Sequence, residues 1–151
     1  MKRFAHLADL APLVGQPLAV SEWFVVSQSR IDAFAEATCD RQWIHVDPVR
    51  AAQSPYGTTI AHGFLTLSLL PAMLASAYAI DDVRMGINYG LNRLRFPAPV
   101  PSGSRLRAQF ELLAFEPLPD GAAQLTMRVT MEREGGGKPV CVAEMLTRQH
   151  L

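Results

Sequence analysis

A chain of 151 residues fits one domain, residues 1–151, and can bury roughly 68–70% of the surface its unfolded form exposes. With 49% hydrophobic and 19% charged residues it has a globular makeup on the apolar side, an excess that a buried subunit interface would account for. A formal charge of zero and the lack of any basic run argue against nucleic acid as a partner. Cys39 and Cys141 make neither a metal nor a disulfide pattern. Arg3, His6 and Asp9 interrupt any apolar run at the start, so no signal peptide is expected. The apolar stretch 63–80 holds Thr66, Ser68, Pro71 and Ser76, and reads as a buried core helix rather than a membrane span. The expected compartment is the cytoplasm, with no membrane partner. Lys2 and Lys138 are the only lysines among many arginines, which suits phosphate recognition or equally a bias of the source genome.

Residues Ala19 to Val26, with Trp23, Phe24, Val25 and Val26, predict a first strand. Ser27 or Ser29 can cap the helix that follows, which carries Ile31, Phe34, Ala35 and Thr38 on one face and ends near Cys39. Asp40 to His45 then read as a non-helical connection. Asp47-Pro48 is an N-cap followed by proline at the first helical position, opening a short helix through Ala52. From Gly63 to about Tyr78 apolar residues wrap all around a helix, which predicts burial on most sides and a bend at Pro71. The period then changes. Leu106, Ala108, Phe110 and Leu112 alternate with polar residues, as do Leu125, Met127, Val129 and Met131, the pattern of half-buried antiparallel strands. Val140 to Thr147 and Met85 to Phe96 supply two more. The fold class is therefore α+β, with roughly five antiparallel strands wrapped around one long buried helix.

The chemistry concentrates in Asp40-Arg41-Gln42-Trp43-Ile44-His45 and in Ala61-His62-Gly63. A carboxylate and an imidazole five positions apart, with backbone N–H groups at a helix start, are the parts needed to add water to an activated double bond or remove it. Taken singly, Asp40 reads as a turn or helix cap and His45 as a satisfied core histidine. Their joint spacing ahead of His62-Gly63 and the apolar helix favours catalysis. His62 is a second base or, on the plainer reading, a local hydrogen-bonding group that sets the helix entry. Gln42 is a candidate orienter of the loop, and Asn88 and Asn92 line the pocket or satisfy strand ends. Asp47 reads only as a cap, and Cys39 lacks a third group to act as a nucleophile with His45.

The run Cys39 to Asp47 with Ala61-His62-Gly63 resembles the signature of the MaoC-like, (R)-specific enoyl-CoA hydratases (hydratase 2), which have the hot-dog fold. The stretch Ile87 to Pro101 is similar to a subgroup that includes actinobacterial hydratases and relatives of nodulation protein N, with Gln42-Trp43 where other members have Asn-Pro. The resemblance implies a hot-dog homodimer that hydrates 2-enoyl-CoA, or the acyl carrier protein thioester, reversibly to the (R)-3-hydroxyacyl product without metal or cofactor. It implies that Asp40 and His45 hold the water and that the Gly63 N–H receives charge on the thioester oxygen. A residue without a side chain there is expected to let the thioester approach closely. Arg93, Arg95 and Arg105 are candidates by type alone for the coenzyme A phosphates; a solvated strand face is the other reading. The rival functions are a hot-dog thioesterase and a non-catalytic acyl-thioester-binding subunit. Cys39 stands where the family has glycine, which brings strain if that position needs a positive φ.

Overall fold

The computed structural model describes residues 1–151. Its centre is an antiparallel sheet of β2 (Gln16–Val20), β3 (Phe24–Val26), β5 (Met85–Arg95), β6 (Ser104–Pro117), β7 (Ala123–Arg133) and β8 (Cys141–His150), with β1 (Lys2–Phe4) and β4 (Tyr78–Ile80) forming a separate parallel pair. The order across the main sheet is β2-β6-β7-β8-β5, and β3 also pairs with β6. The alternation read from sequence is realised in β6 and β7: Leu106, Ala108, Phe110 and Leu112, with Leu125, Met127, Val129 and Met131, are buried in one continuous core. β8 runs to His150, beyond the predicted end at Thr147, and places Thr147 and Gln149 on its buried face.

The predicted first strand is two strands. Ser21 ends the first, with its N–H donating to the Ala108 carbonyl and its hydroxyl accepting from the Ala108 N–H, each at 2.9 Å. Glu22 and Trp23 leave the ladder there, and the indole lies under the Arg107 guanidinium, 4.6 Å from the ring centre. A side chain that substitutes for a strand partner is invisible to a period-2 pattern. β1 and β4 escaped the sequence reading for another reason, since each is three residues long and is defined only by the other.

The helices follow the sequence more closely. α1 (Gln28–Thr38) is capped by the Ser27 hydroxyl, which accepts from the Arg30 N–H, and it buries Ile31 and Ala35. It ends at Cys39 in the left-handed region, φ 60°. The segment expected to be non-helical contains a one-turn helix, α2 (Trp43–Val46), closed by the Asp47 N–H donating to the Trp43 carbonyl at 3.0 Å. Four residues are too few to carry a helical period, so this turn has no sequence signal. α3 (Pro48–Ala52) starts as predicted, with the Asp47 carboxylate accepting from the Arg50 N–H at 2.9 Å.

The predicted central helix bends where expected, into α4 (Gly63–Ser68) and α5 (Leu70–Ala77). Pro71 has no N–H for the Leu67 carbonyl and its ring crowds that oxygen, so the break falls just ahead of it. Burial on most sides is corrected. Leu65, Thr66, Leu69, Leu70, Met73 and Ala77 face the core, but Phe64 is 66% exposed and Ser68, Pro71, Ala72 and Ala75 share its open side. No helix is long and apolar enough to cross a membrane.

An L-residue in the left-handed region costs about 1–2 kcal/mol. Cys39→Gly is therefore expected to raise the midpoint of thermal unfolding by about 2–8 °C, measured by circular dichroism.

Candidate active site

Cys39 at φ 60° turns the chain out of α1 and aims residue 40 back toward the segment that enters α4. The Gln42 carbonyl then accepts from the His45 N–H at 2.9 Å, which winds α2 and points the imidazole inward. His45 is 6% exposed. Its Nδ1 lies 2.7 Å from the Ile60 carbonyl oxygen, an atom that only accepts, so Nδ1 carries the proton and Nε2 is bare. Burial holds the His45 pKa below the usual histidine range; the Ile60 bond works against this, His62 adds to it, and the Asp40 charge opposes it.

His62 caps the start of α4, and its ring stacks on His45 with centres 3.7 Å apart and 23° between planes. Its Nε2–H donates to the Asp40 carbonyl at 2.9 Å, while its buried Nδ1 has no partner. The expected local bond setting the helix entry is not what the side chain makes: it reaches back along the chain and fixes the backbone that carries the Asp40 carboxylate. Nitrogen and oxygen atoms of Asp40, His45 and His62 all lie within 4.8 Å of one another.

His45 and Gly63 line a common cavity of ≈ 320 Å³ together with Tyr56, Thr66, Phe96 and Val140. Asp40 is exposed beside His45 and is not among the residues of that lining. Gly63 opens α4, where its N–H has no partner within the helix. Besides the room a bare Cα is expected to leave for a thioester, the fold itself makes a demand on this glycine. A Cβ on Gly63 would lie 2.8 Å from Phe96 Cδ2 and 2.9 Å from Cε2, so an aromatic ring of this chain fills that space.

Other candidates lie elsewhere. The Gln42 side chain is exposed and makes no capping bond, so its loop-setting role falls to its carbonyl. Asn88 lines a different groove, between α5 and β5, with Pro71 and Leu91 among its walls. Arg105 pairs with Glu134 at 2.8 Å, and Arg93, at φ 52° within β5, lies 3.6 Å from the Glu144 carboxylate.

Gln28 was missed by sequence reasoning. Its Nε2 donates to the His45 carbonyl at 2.8 Å and its Oε1 accepts from the Thr59 hydroxyl at 2.5 Å, tying α1 to both strands of chain that frame the imidazole. A glutamine at the first turn of a helix reads as solvent-facing, so nothing in the sequence marks it. Gln28→Leu would strand both groups and is expected to destabilise the fold by about 1–3 kcal/mol in urea denaturation.

Comparison with known proteins identifies similar chains. Residues 9–134 match the family described as MaoC like domain. The chain is 51% identical over 148 residues to the 3-hydroxyacyl-thioester dehydratase Z of Mycobacterium tuberculosis, covering 98% of each chain. It is 49% identical to nodulation protein N of Rhizobium leguminosarum bv. viciae, covering 93% of this chain and 89% of that one. Among solved structures it is similar to the (R)-hydratase of A. caviae involved in PHA biosynthesis, with TM-score 0.68, 27% identity and coverage of 89% and 94%. The sheet and central helix are those of the hot-dog fold, and the chain belongs to the MaoC-like domain family.

Proposed function

We propose that this protein catalyses the reversible hydration of trans-2-enoyl thioesters to (R)-3-hydroxyacyl thioesters, in the cytoplasm and without a metal. The observation that carries the reading is the buried His45 ring, whose Nδ1 is held by the Ile60 carbonyl so that Nε2 is left bare, with a ring nitrogen within 4.8 Å of the Asp40 carboxylate and with the residue lining the cavity that Gly63 also lines. The names of the relatives, a 3-hydroxyacyl-thioester dehydratase and an (R)-hydratase, support it.

In this scheme Asp40 and His45 hold one water. His45 Nε2 takes a proton as the water oxygen bonds to the β-carbon of the enoyl chain. The electron pair of the double bond moves onto the thioester oxygen, where the Gly63 N–H donates to the growing charge. Collapse of the enolate takes a proton from the acid/base pair onto the α-carbon, which offsets the one His45 accepted and restores its neutral ring. Dehydration is the reverse. A preorganised donor of this kind contributes about 2.7–4 kcal/mol to the barrier in comparable sites.

The acyl carrier in this reading is coenzyme A or acyl carrier protein, and the working unit is a homodimer. β5 is an edge strand whose Met85, Ile87, Tyr89 and Leu91 are exposed, with Tyr89 at 54%, and it lies along the open side of the α4–α5 helix pair. Pairing two such edges would cover apolar surface and open hydrogen-bonding groups together.

Crotonyl-CoA mixed with the protein should lose its conjugated absorbance, and Asp40→Asn and His45→Gln should each lower kcat about 10²–10⁴-fold with the fold intact by circular dichroism. Release of free thiol in place of hydration would mark a thioesterase; binding without turnover would mark a non-catalytic subunit. Because the bare form of His45 is the active one and burial lowers its pKa, the acid limb of kcat/KM is expected below about pH 6.5, with activity lost as pH falls through it. Sedimentation velocity should give twice the chain mass, and Ile87→Arg should shift it toward the monomer.

A further inference from the structure

Phe96 follows the last residue of β5 and opens the run Phe96-Pro97-Ala98-Pro99-Val100-Pro101. Three prolines fix φ along that run, and two contacts tie it to the segment entering α4: the Ala61 N–H donates to the Val100 carbonyl at 2.8 Å, and Ile60 bridges to Pro101. The same Ile60 carbonyl holds His45 Nδ1. The ring of Phe96 is thus carried on a stiff arm anchored to the residue that orients the imidazole. It lies against Gly63, meets Phe64 edge-on with centres 6.2 Å apart, and forms part of the wall of the His45 cavity.

We infer that Phe96 is a positioning residue for the reaction: its ring packs where a Gly63 side chain would be, and so sets how far a thioester can lie from the Gly63 N–H. The inference rests on the hydratase reading above and adds to it a reason for the glycine. That reason is internal. With any side chain at residue 63 the ring must move, since a Cβ there would lie below 3.0 Å from two ring carbons, 2.8 Å from Cδ2 and 2.9 Å from Cε2. The ring in turn stops the substrate from sliding past the amide. Thr66, one turn along α4, completes the wall on the buried side.

The test is a double-variant cycle on the full-length protein with crotonyl-CoA, comparing Gly63→Ala, Phe96→Ala and the pair together. Gly63→Ala is expected to lower kcat about 10²-fold, the scale of a displacement near 1 Å. Phe96→Ala should lower kcat about tenfold with a smaller change in KM. The pair should recover at least about tenfold of the kcat lost in Gly63→Ala, because removing the ring gives the new methyl group room. A purely structural ring would alter the melting temperature without this recovery. If the glycine instead serves the substrate directly, the pair will be as slow as Gly63→Ala or slower, and the inference is overturned. An inactive wild type defeats the hydratase reading instead. The steric claim is then decided by unfolding alone, where a pair no more stable than the weaker single variant overturns it.

Discussion

The hydrogen bond from His45 Nδ1–H to the Ile60 carbonyl decides which nitrogen of the ring is free, and the rest of the site is arranged around that decision. The carbonyl is itself held in place, because residues 60 and 61 are tied to Pro101 and Val100 on one side and His62 starts α4 on the other. The imidazole backbone is tied separately, through Gln28, to α1. A buried ring held at both ends loses little orientation on meeting a substrate. His62 contributes from the opposite face, stacking on the ring while it holds the Asp40 carbonyl, so one residue couples the positions of both members of the pair.

Which parts were legible in the sequence follows from the range of the forces involved. Ser27 and Asp47 as caps, Pro71 as a bend, and the inward residues of β6 and β7 depend on neighbours a few positions away, and each was readable. The spacing of Asp40, His45 and Gly63 was readable because it repeats a known signature. What escaped depends on partners distant in the chain. Ser21 interrupts a strand because Ala108 offers its N–H, Gln28 matters because His45 and Thr59 lie above it, and Phe96 matters because Gly63 lies beneath it. The glycine itself was noticed but its contact with the Phe96 ring was not, since the sequence cannot show which side chain lies against a bare Cα.

Surface and core are less separate here than hydropathy suggests. The apolar side chains of β5 and the open side of α4 and α5 sit where a globular chain normally places polar groups. They also border the two grooves that contain Asn88, so covering this face would enclose those grooves.

The parallel pairing of Lys2–Phe4 with Tyr78–Ile80 sets an order on biosynthesis. The strap carries Phe4 and leads into Leu7 and Leu10, all buried in the finished fold, yet its partner strand is translated only after the whole of α4 and α5. Phe4 cannot pair until the far end of the central helix has been made, and the segment of Leu7 and Leu10, which packs against β6, completes its contacts later still.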